Sequence, residues 1–226
     1  MSTARRLGVL GGTFDPVHVG HLDAANAALT ALTLDHVLLA PSRVPPHRAH
    51  EPRAGVFHRF AMVALAIADA ARLRASDVEL LRDGPSYTVD TLRGLHRRGW
   101  APSQIFFIVG ADAFAEIATW REYPGVLDAA NFAVIARRGV TLEEACARAP
   151  GALDRVSDEG PHGSATRIHL VEADTRDVSS TVIRARLAEH RSIEDLVPAA
   201  VARHITTHNL YGAADALHAT DQNIGH

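Results

Sequence analysis

Two histidines, His18 and His21, stand three residues apart, with Val19 and Gly20 between them. Gly11-Gly12-Thr13-Phe14-Asp15-Pro16-Val17 runs directly into them. Imidazoles at this spacing can each donate a ring N–H to an oxyanion, and either can carry charge beside one. Gly11 and Gly12 let the backbone come close to phosphate and take turn angles that a side chain forbids. Pro16 stiffens the turn and cannot donate a backbone hydrogen bond. Gly20 leaves room between the histidines for phosphate or adenine to lie against the chain. The chemistry that calls for this set is transfer at phosphorus. Negative charge builds there on the α-phosphate and on departing pyrophosphate. The protein then supplies positioning and electrostatic stabilisation more than a covalent nucleophile.

The flanking segments must hold this stretch in place. An apolar run, Leu7 to Leu10, precedes it, and a helical pattern, Leu22–Leu32, follows it. Strand, glycine turn and helix in that order put backbone N–H groups and a positive helix end at the tip of the strand. The helix start reinforces the His21 donor. In a chain with 14 histidines, a pair at this spacing alone carries little weight. The whole string in its strand–turn–helix setting is far more specific.

A second constellation lies in Asp177-Val178-Ser179-Ser180-Thr181-Val182-Ile183-Arg184. Serine and threonine are favoured N-caps, and the free N–H groups of a helix start attract anions. Ser180 and Arg184 are four apart and share one helical face. Hydroxyl, backbone and guanidinium on that face suit the outer phosphates of ATP. Capping alone also explains Ser179 to Thr181, and a lone arginine is usually a solvated surface residue.

Apolar runs alternate with helical patterns along the chain. The strand-like runs are Arg6–Leu10, His36–Ala40, Asp77–Leu81, Gln104–Val109, Asn131–Ala136 and Arg167–Glu172. Several are continuous rather than alternating, as expected where helices cover both faces. Helical patterns span Leu22–Leu32, Val56–Ala70, Thr88–Arg97, Ala113–Trp120, Leu142–Ala149, Ser180–Glu189 and Pro198–Thr207. This order predicts an α/β fold, a doubly wound, Rossmann-like parallel sheet flanked by helices. Pro41 to Pro52 reads as a proline-stiffened loop carrying Arg43, His47 and Arg48, and Gly151 to Thr166 as a polar surface insertion. The first turn lacks the G-x-G-x-x-G of dinucleotide oxidoreductases, and Asp35 precedes the second strand instead of ending it. That disfavours hydride transfer to a nicotinamide cofactor.

Composition narrows the class further. The 226 residues are 47% hydrophobic and 22% charged, ordinary for a globular protein able to bury a sizeable core. A net charge of −3 does not suggest a nucleic-acid binder. The single cysteine, Cys146, rules out an intramolecular disulfide and a four-cysteine zinc site. No apolar run is long enough to span a bilayer, and the start lacks a signal-peptide core. A cytoplasmic protein with no membrane partner is the expectation; a homo-oligomer is allowed but not specified. No lysine occurs, so all 23 basic side chains are arginine. Any phosphate clamp then uses arginine, histidine or backbone N–H, and the planar guanidinium suits phosphate well.

With both phosphate motifs in place, the chain resembles the H-x-G-H nucleotidyltransferases, and among them the bacterial nicotinate-nucleotide adenylyltransferase family. The likeness runs over about residues 5 to 211. It also takes in Pro45-Pro46-His47-Arg48, Gly84-Pro85-Ser86-Tyr87-Thr88, Gly110-Ala111-Asp112 and Trp120. It implies one nucleotidyltransferase domain over residues 1–212 and a polar, frayed tail over 213–226. It implies transfer of AMP from ATP to nicotinate mononucleotide with Mg²⁺, releasing pyrophosphate. His18, His21 and Arg184 would be catalytic. Gly11, Gly12, Thr13, Phe14, Gly110, Asp112, Ser180 and Thr181 would join them around ATP. Arg48, Ser86, Tyr87, Thr88, Asp112, Trp120 and Arg137 would hold the second nucleotide, with no protein metal ligands. Helix N–H groups near Tyr87 and Thr88 would take the nicotinate carboxylate, and Trp120 would stack on its ring. The sequence departs from the family pattern at Arg48, where lysine is frequent, and at Arg137-Arg138-Gly139, which lacks a stiffening proline. The rival readings are a pantetheine-phosphate-type adenylyltransferase and a non-catalytic nucleotide sensor.

Overall fold

The structure is a computed structural model that describes residues 5–46, 52–136, 141–157 and 165–213. Six strands form one parallel sheet: β1 (Leu7–Gly12), β2 (His36–Pro41), β3 (Leu73–Ala75), β4 (Ile105–Gly110), β5 (Asn131–Ala136) and β6 (Ile168–Glu172). They lie in the order β3-β2-β1-β4-β5-β6, so the strand order reverses between β1 and β4 while all strands stay parallel. The helices are α1 (Val19–Ala31), α2 (Val56–Ala66), α3 (Thr88–Arg97), α4 (Ala111–Phe114), α5 (Leu142–Cys146), α6 (Ser180–Ala188) and α7 (Ala199–Thr207). The expected doubly wound α/β fold is therefore present.

Continuous apolar strands explain the two layers. Successive side chains point to opposite faces. In β4, Phe106 and Ile108 join a core with α1, α2, α6 and α7. Ile105, Phe107 and Val109 face the other way, into a core with α3 and α4. Burying both faces requires the unbroken Ile-Phe-Phe-Ile-Val run, and the same logic divides Phe132 and Val134 from Ala133 and Ile135 in β5. Among the described residues, no helix is long and apolar enough to cross a membrane.

The structure corrects several boundaries. Asp77–Leu81 is not a strand: Leu80 and Leu81 both donate backbone N–H to Asp77 O, closing a turn. The run reads as buried, yet Leu81 is 71% exposed. The sheet edge is instead the three-residue β3, and short edges limit unwanted pairing. The helical pattern Ala113–Trp120 breaks into α4 and a 3₁₀ turn, Ile117–Thr119, where the Trp120 N–H returns to Ile117 O. α2 stops at Ala66, short of Ala70, and α5 at Cys146, short of Ala149. Of the expected insertion, Val156 bridges to Ile168 in parallel and Ser157 N–H donates to Ile168 O, so this segment extends the sheet beside β6. Residues 158–164 and 214–226 lie outside the described residues.

Gly8 shows how tightly the core packs around β1. A Cβ there would lie 2.7 Å from Val37 Cγ2, 2.9 Å from Leu34 Cδ1 and 3.2 Å from Ile108 Cδ1. Gly8→Ala should therefore destabilise the protein by about 1–3 kcal/mol, as over-packed cores do. Gly94, in α3, is the contrast, because its nearest neighbour would be Arg97 Nη2 at 3.8 Å. Gly94→Ala should stabilise by about 0.5–1 kcal/mol. Urea melts of both variants check the pair, and a neutral Gly8→Ala would contradict the packing account.

Candidate active site

A cavity of about 800 Å³ opens at the carboxyl ends of β1, β4 and β5. This is where the strand order reverses, the place at which open α/β sheets hold ligands. Its lining includes Gly11, Gly12 and Thr13 after β1, and His18 and His21 at the start of α1. Gly110 and Asp112 come from the end of β4, and Ser86, Tyr87 and Thr88 from the start of α3. Trp120 closes the same side. The fold thus gathers residues from Leu10 to Val178 into one chamber. Arg48 and Arg137 lie outside the described residues.

Local geometry fixes the histidines. His18 is the N-cap of α1, and its backbone N–H donates to His21 Nδ1 at 3.2 Å. That bond makes Nδ1 an acceptor, so neutral His21 carries its proton on Nε2. The rings stack with centroids 3.7 Å apart. Phe14 packs edge-on against His21 at 4.9 Å and is itself buried. Burial pulls the His18 pKa from 6.5 to about 4, only partly opposed by Asp23, so His18 is a neutral imidazole at pH 7. Its Nδ1 is buried without a hydrogen-bond partner among the described residues. Gly20 is required by close approach: a Cβ would lie 3.2 Å from both Arg176 O and His18 Nδ1.

Phe14, Ser180, Thr181 and Arg184 are not part of the cavity lining. They brace it. Ser179 caps α6 by accepting from Val182 N–H, while Ser180 Oγ donates to Pro16 O at 2.9 Å. Arg184 donates to Asp15 O at 2.7 Å and to Thr181 Oγ1 at 3.2 Å. The Asp15 carboxylate is buried, accepts from Arg53 N–H, Ala54 N–H and Tyr211 Oη, and lies 3.8 Å from Arg184 Nη1. Burial and that carboxylate push the Tyr211 hydroxyl far above its ordinary value, leaving a neutral donor. The start of α6 is thus tied to the glycine loop 164 residues away.

Three charged residues of the lining escape sequence reasoning. Arg176 faces the cavity and holds Asp23 of α1 through two guanidinium bonds of 2.9 and 2.7 Å. The pair lowers the Asp23 pKa. Arg121 adjoins Trp120, with its guanidinium carbon 4.7 Å from the Tyr87 ring centroid. Glu79 sits beneath the α3 start, accepting from Thr91 Oγ1 at 2.8 Å; burial pushes its pKa up. In a chain whose cations are all arginine, nothing local marks Arg121 or Arg176 as different from the rest.

The chamber has two ends of different character. One combines stacked imidazoles, a glycine-rich strand end and Arg176, which suits phosphates. The other combines the first turn of α3 with Tyr87, Trp120 and Arg121. The Tyr87 N–H is committed to Pro85 O at 3.1 Å, so the donors left there are the first-turn N–H groups of Thr88 and Val89. Trp120 meets Phe107 edge-on at 5.9 Å, packed against the core on one side and open to the cavity on the other.

Residues 9–186 match the family model described as cytidylyltransferase-like. A Corynebacterium kroppenstedtii protein named "Probable nicotinate-nucleotide adenylyltransferase" is 39% identical over 196 residues, covering 87% of this chain and 86% of its own. One of the same name from Citrifermentans bemidjiense is 38% identical over 202 residues, covering 87% and 93%. The Plasmodium falciparum nicotinic acid mononucleotide adenylyltransferase, solved with NaAD, shares the fold with a TM-score of 0.70 at 17% identity, over 92% of this chain and 98% of its own. The chain belongs to the cytidylyltransferase-like family and, within it, to the nicotinate-nucleotide adenylyltransferases.

Proposed function

We propose that this enzyme transfers AMP from ATP to nicotinate mononucleotide, releasing pyrophosphate and forming nicotinate adenine dinucleotide, a step of NAD biosynthesis. The observation that carries the reading is the two-ended cavity, with a phosphate-binding end at His18 and His21 and an aromatic, carboxylate-binding end at α3 and Trp120. The attacking group is the 5′-phosphate of the mononucleotide. It is already an anion, so no general base is required. It attacks the α-phosphorus in line, and the α–β bridging oxygen leaves with pyrophosphate. His18 donates as a neutral imidazole. His21 Nε2–H neutralises charge growing on the α- and β-phosphate oxygens. Gly11, Gly12, Thr13, Gly110 and Asp112 line the bed for the adenosine and phosphate chain.

Ser180, Thr181 and Arg184 are proposed to serve the ATP tail in two ways. They lock the Asp15–Pro16 carbonyls, which sets the loop carrying Phe14 and the histidines, and they present the α6 start to the outer phosphates. Mg²⁺ is proposed to arrive on ATP. The cavity's carboxylates are Asp112 and Glu79, and Glu79 is committed to Thr91. One exposed carboxylate in the lining suits Mg²⁺ that would be held chiefly by phosphate oxygens and water, with Asp112 the protein group that would help to hold it. Such an ion would neutralise phosphate charge. Residues 1–212 are taken as one domain because all six strands share one sheet. The cytoplasm is the proposed compartment, with ATP and nicotinate mononucleotide as the partners.

Pyrophosphate release with ATP and either the acid or the amide mononucleotide tests the function directly. The acid should be preferred by about 30- to 1,000-fold in kcat/KM, from roughly 2–4 kcal/mol of helix-dipole and charged hydrogen-bond stabilisation. Trp120→Ala should weaken both nucleotides alike and spare ATP, whereas Arg121→Ala should erode the acid preference. Equal use of both nucleotides by the native enzyme would remove the carboxylate site from the proposal.

His21→Ala should lower kcat by about 10²–10³ with the fold intact by circular dichroism, the usual effect of losing one preorganised donor. A folded variant with near-normal kcat would end the assignment.

The His18 environment adds a pH signature. Its folded pKa of about 4 is below the ordinary 6.5, so the unfolded chain takes up a proton first as pH falls. Stability is complete above pH 6.5 and declines as pH drops from 6.5 towards 4, by up to about 3 kcal/mol. His18→Asn should flatten that part of the curve, read by urea melts at pH 7 and pH 4.5. An unchanged pH dependence would mean that His18 is protonated in the fold.

A further inference from the structure

Away from the cavity, three histidines converge where α2 packs on α7. His58 lies in the first turn of α2, His204 in the last turn of α7, and His208 is the α7 C-cap. One ring nitrogen from each lies within 4.8 Å of the other two. His58 Nδ1 and His204 Nε2 are 3.1 Å apart. Ring centroids are 5.3, 5.0 and 4.4 Å apart around the triangle. His204 and His208 are four apart and so share one helical face. His58 and His204 are half-buried, and His208 is exposed. None of the three lines the cavity.

Ligand chemistry narrows what such a triangle can hold. Three imidazole nitrogens without carboxylate or thiolate suit Zn²⁺, Co²⁺, Ni²⁺ or Cu²⁺ and are poor for Mg²⁺ or Ca²⁺. In a tetrahedral zinc site with bonds of about 2.0–2.1 Å, ligand nitrogens lie about 3.3 Å apart. One pair already has nearly that separation, and the nitrogen of the exposed His208 lies within 4.8 Å of both. Its solvent side leaves the fourth position to water. A simple N–H···N hydrogen bond between His58 and His204 would leave His208 without a reason to be there.

We propose that His58, His204 and His208 form a binding site for a zinc-class dication, separate from the nucleotide cavity, that clips α2 to α7. The clip sits at a sensitive place. His58 is followed by Arg59, whose guanidinium holds the Thr13 and Ser42 carbonyls beside the cavity. Tyr211, three residues beyond His208, donates to the buried Asp15. An ion here ties together the two helical ends from which the glycine loop is supported. This placement is independent of the nucleotides the enzyme uses.

The test uses the untagged full chain, stripped with chelator and titrated with Co²⁺ and then with Zn²⁺ as competitor. One equivalent of Co²⁺ should bind and give the intense visible absorption of a tetrahedral site, and Zn²⁺ should displace it. His58→Gln and His208→Gln should each weaken binding by about 100-fold or more, since losing even an outer-shell partner of a metal costs about 10–100-fold. His208 is exposed, so its variant keeps the fold. The tail pair His218→Gln/His226→Gln should bind as the parent does. Melting temperature should rise with Zn²⁺ in the parent and not in His208→Gln. Absence of stoichiometric tetrahedral cobalt binding would overturn the proposal. So would binding that survives in both His58→Gln and His208→Gln, or that is lost in the tail pair.

Discussion

A buried guanidinium organises the molecule. Arg59 is 1% exposed and donates to four backbone carbonyls, those of Thr13, Ser42, Arg43 and Ala54. These belong to the loop after β1, the loop after β2 and the approach to α2. Loop carbonyls at the carboxyl end of a sheet are costly to bury unless paired. The planar fork pairs several at once, which a lysine ammonium on a flexible stem cannot do in the same geometry. Beside it, Asp15 draws in the Arg53 and Ala54 N–H groups, Tyr211 and Arg184. Charge, carbonyls and N–H groups therefore satisfy one another beneath the glycine loop, and the loop's shape follows from that network more than from its own turn preferences.

This explains how Phe14, a non-glycine residue, holds a left-handed backbone with φ 50°. The strain is compensated by burial of the ring and by the bonds on either side of it. It also explains why the start of α6 acts on the site without lining it. Ser180 and Arg184 grip the carbonyls of Pro16 and Asp15, the two residues that lead the chain from Phe14 towards His18. A contact more than 160 residues distant in sequence thereby sets the pitch of the histidine pair.

The legibility of the chain follows the range of the interactions. α3 and β5 were read to the residue because Thr88–Arg97 has one apolar face and Asn131–Ala136 is unbroken and apolar. The histidine string was readable because glycines, proline and histidines all act within eleven positions. β3 was misplaced because three residues on an edge carry too little pattern, while Asp77–Leu81 mimics a strand without being covered on both faces. Arg59 could not be found in this way. On a helical wheel it is one more arginine, and only the tertiary arrangement turns it inward. Arg176 and Arg121 were hidden for the same reason, since their partners, Asp23 and the Tyr87 ring, are distant in sequence. Ser180 and Arg184 were recognised as a pair, but their loop-bracing contacts needed the structure.

The electrostatics of the cavity favour anions at both ends by different means. At the phosphate end burial holds His18 neutral, so the positive field comes from helix termini, His21 Nε2–H and Arg176, and Arg176 is already shared with Asp23. At the other end Glu79 would oppose a carboxylate ligand if it were charged. Burial raises its pKa, and Thr91 and Ser86 hydroxyls stand against that rise by bonding the charged form. Burial outweighs them, and the pKa of this acid stands above its ordinary value. A raised pKa lessens the charge that would oppose an anion at the first turn of α3.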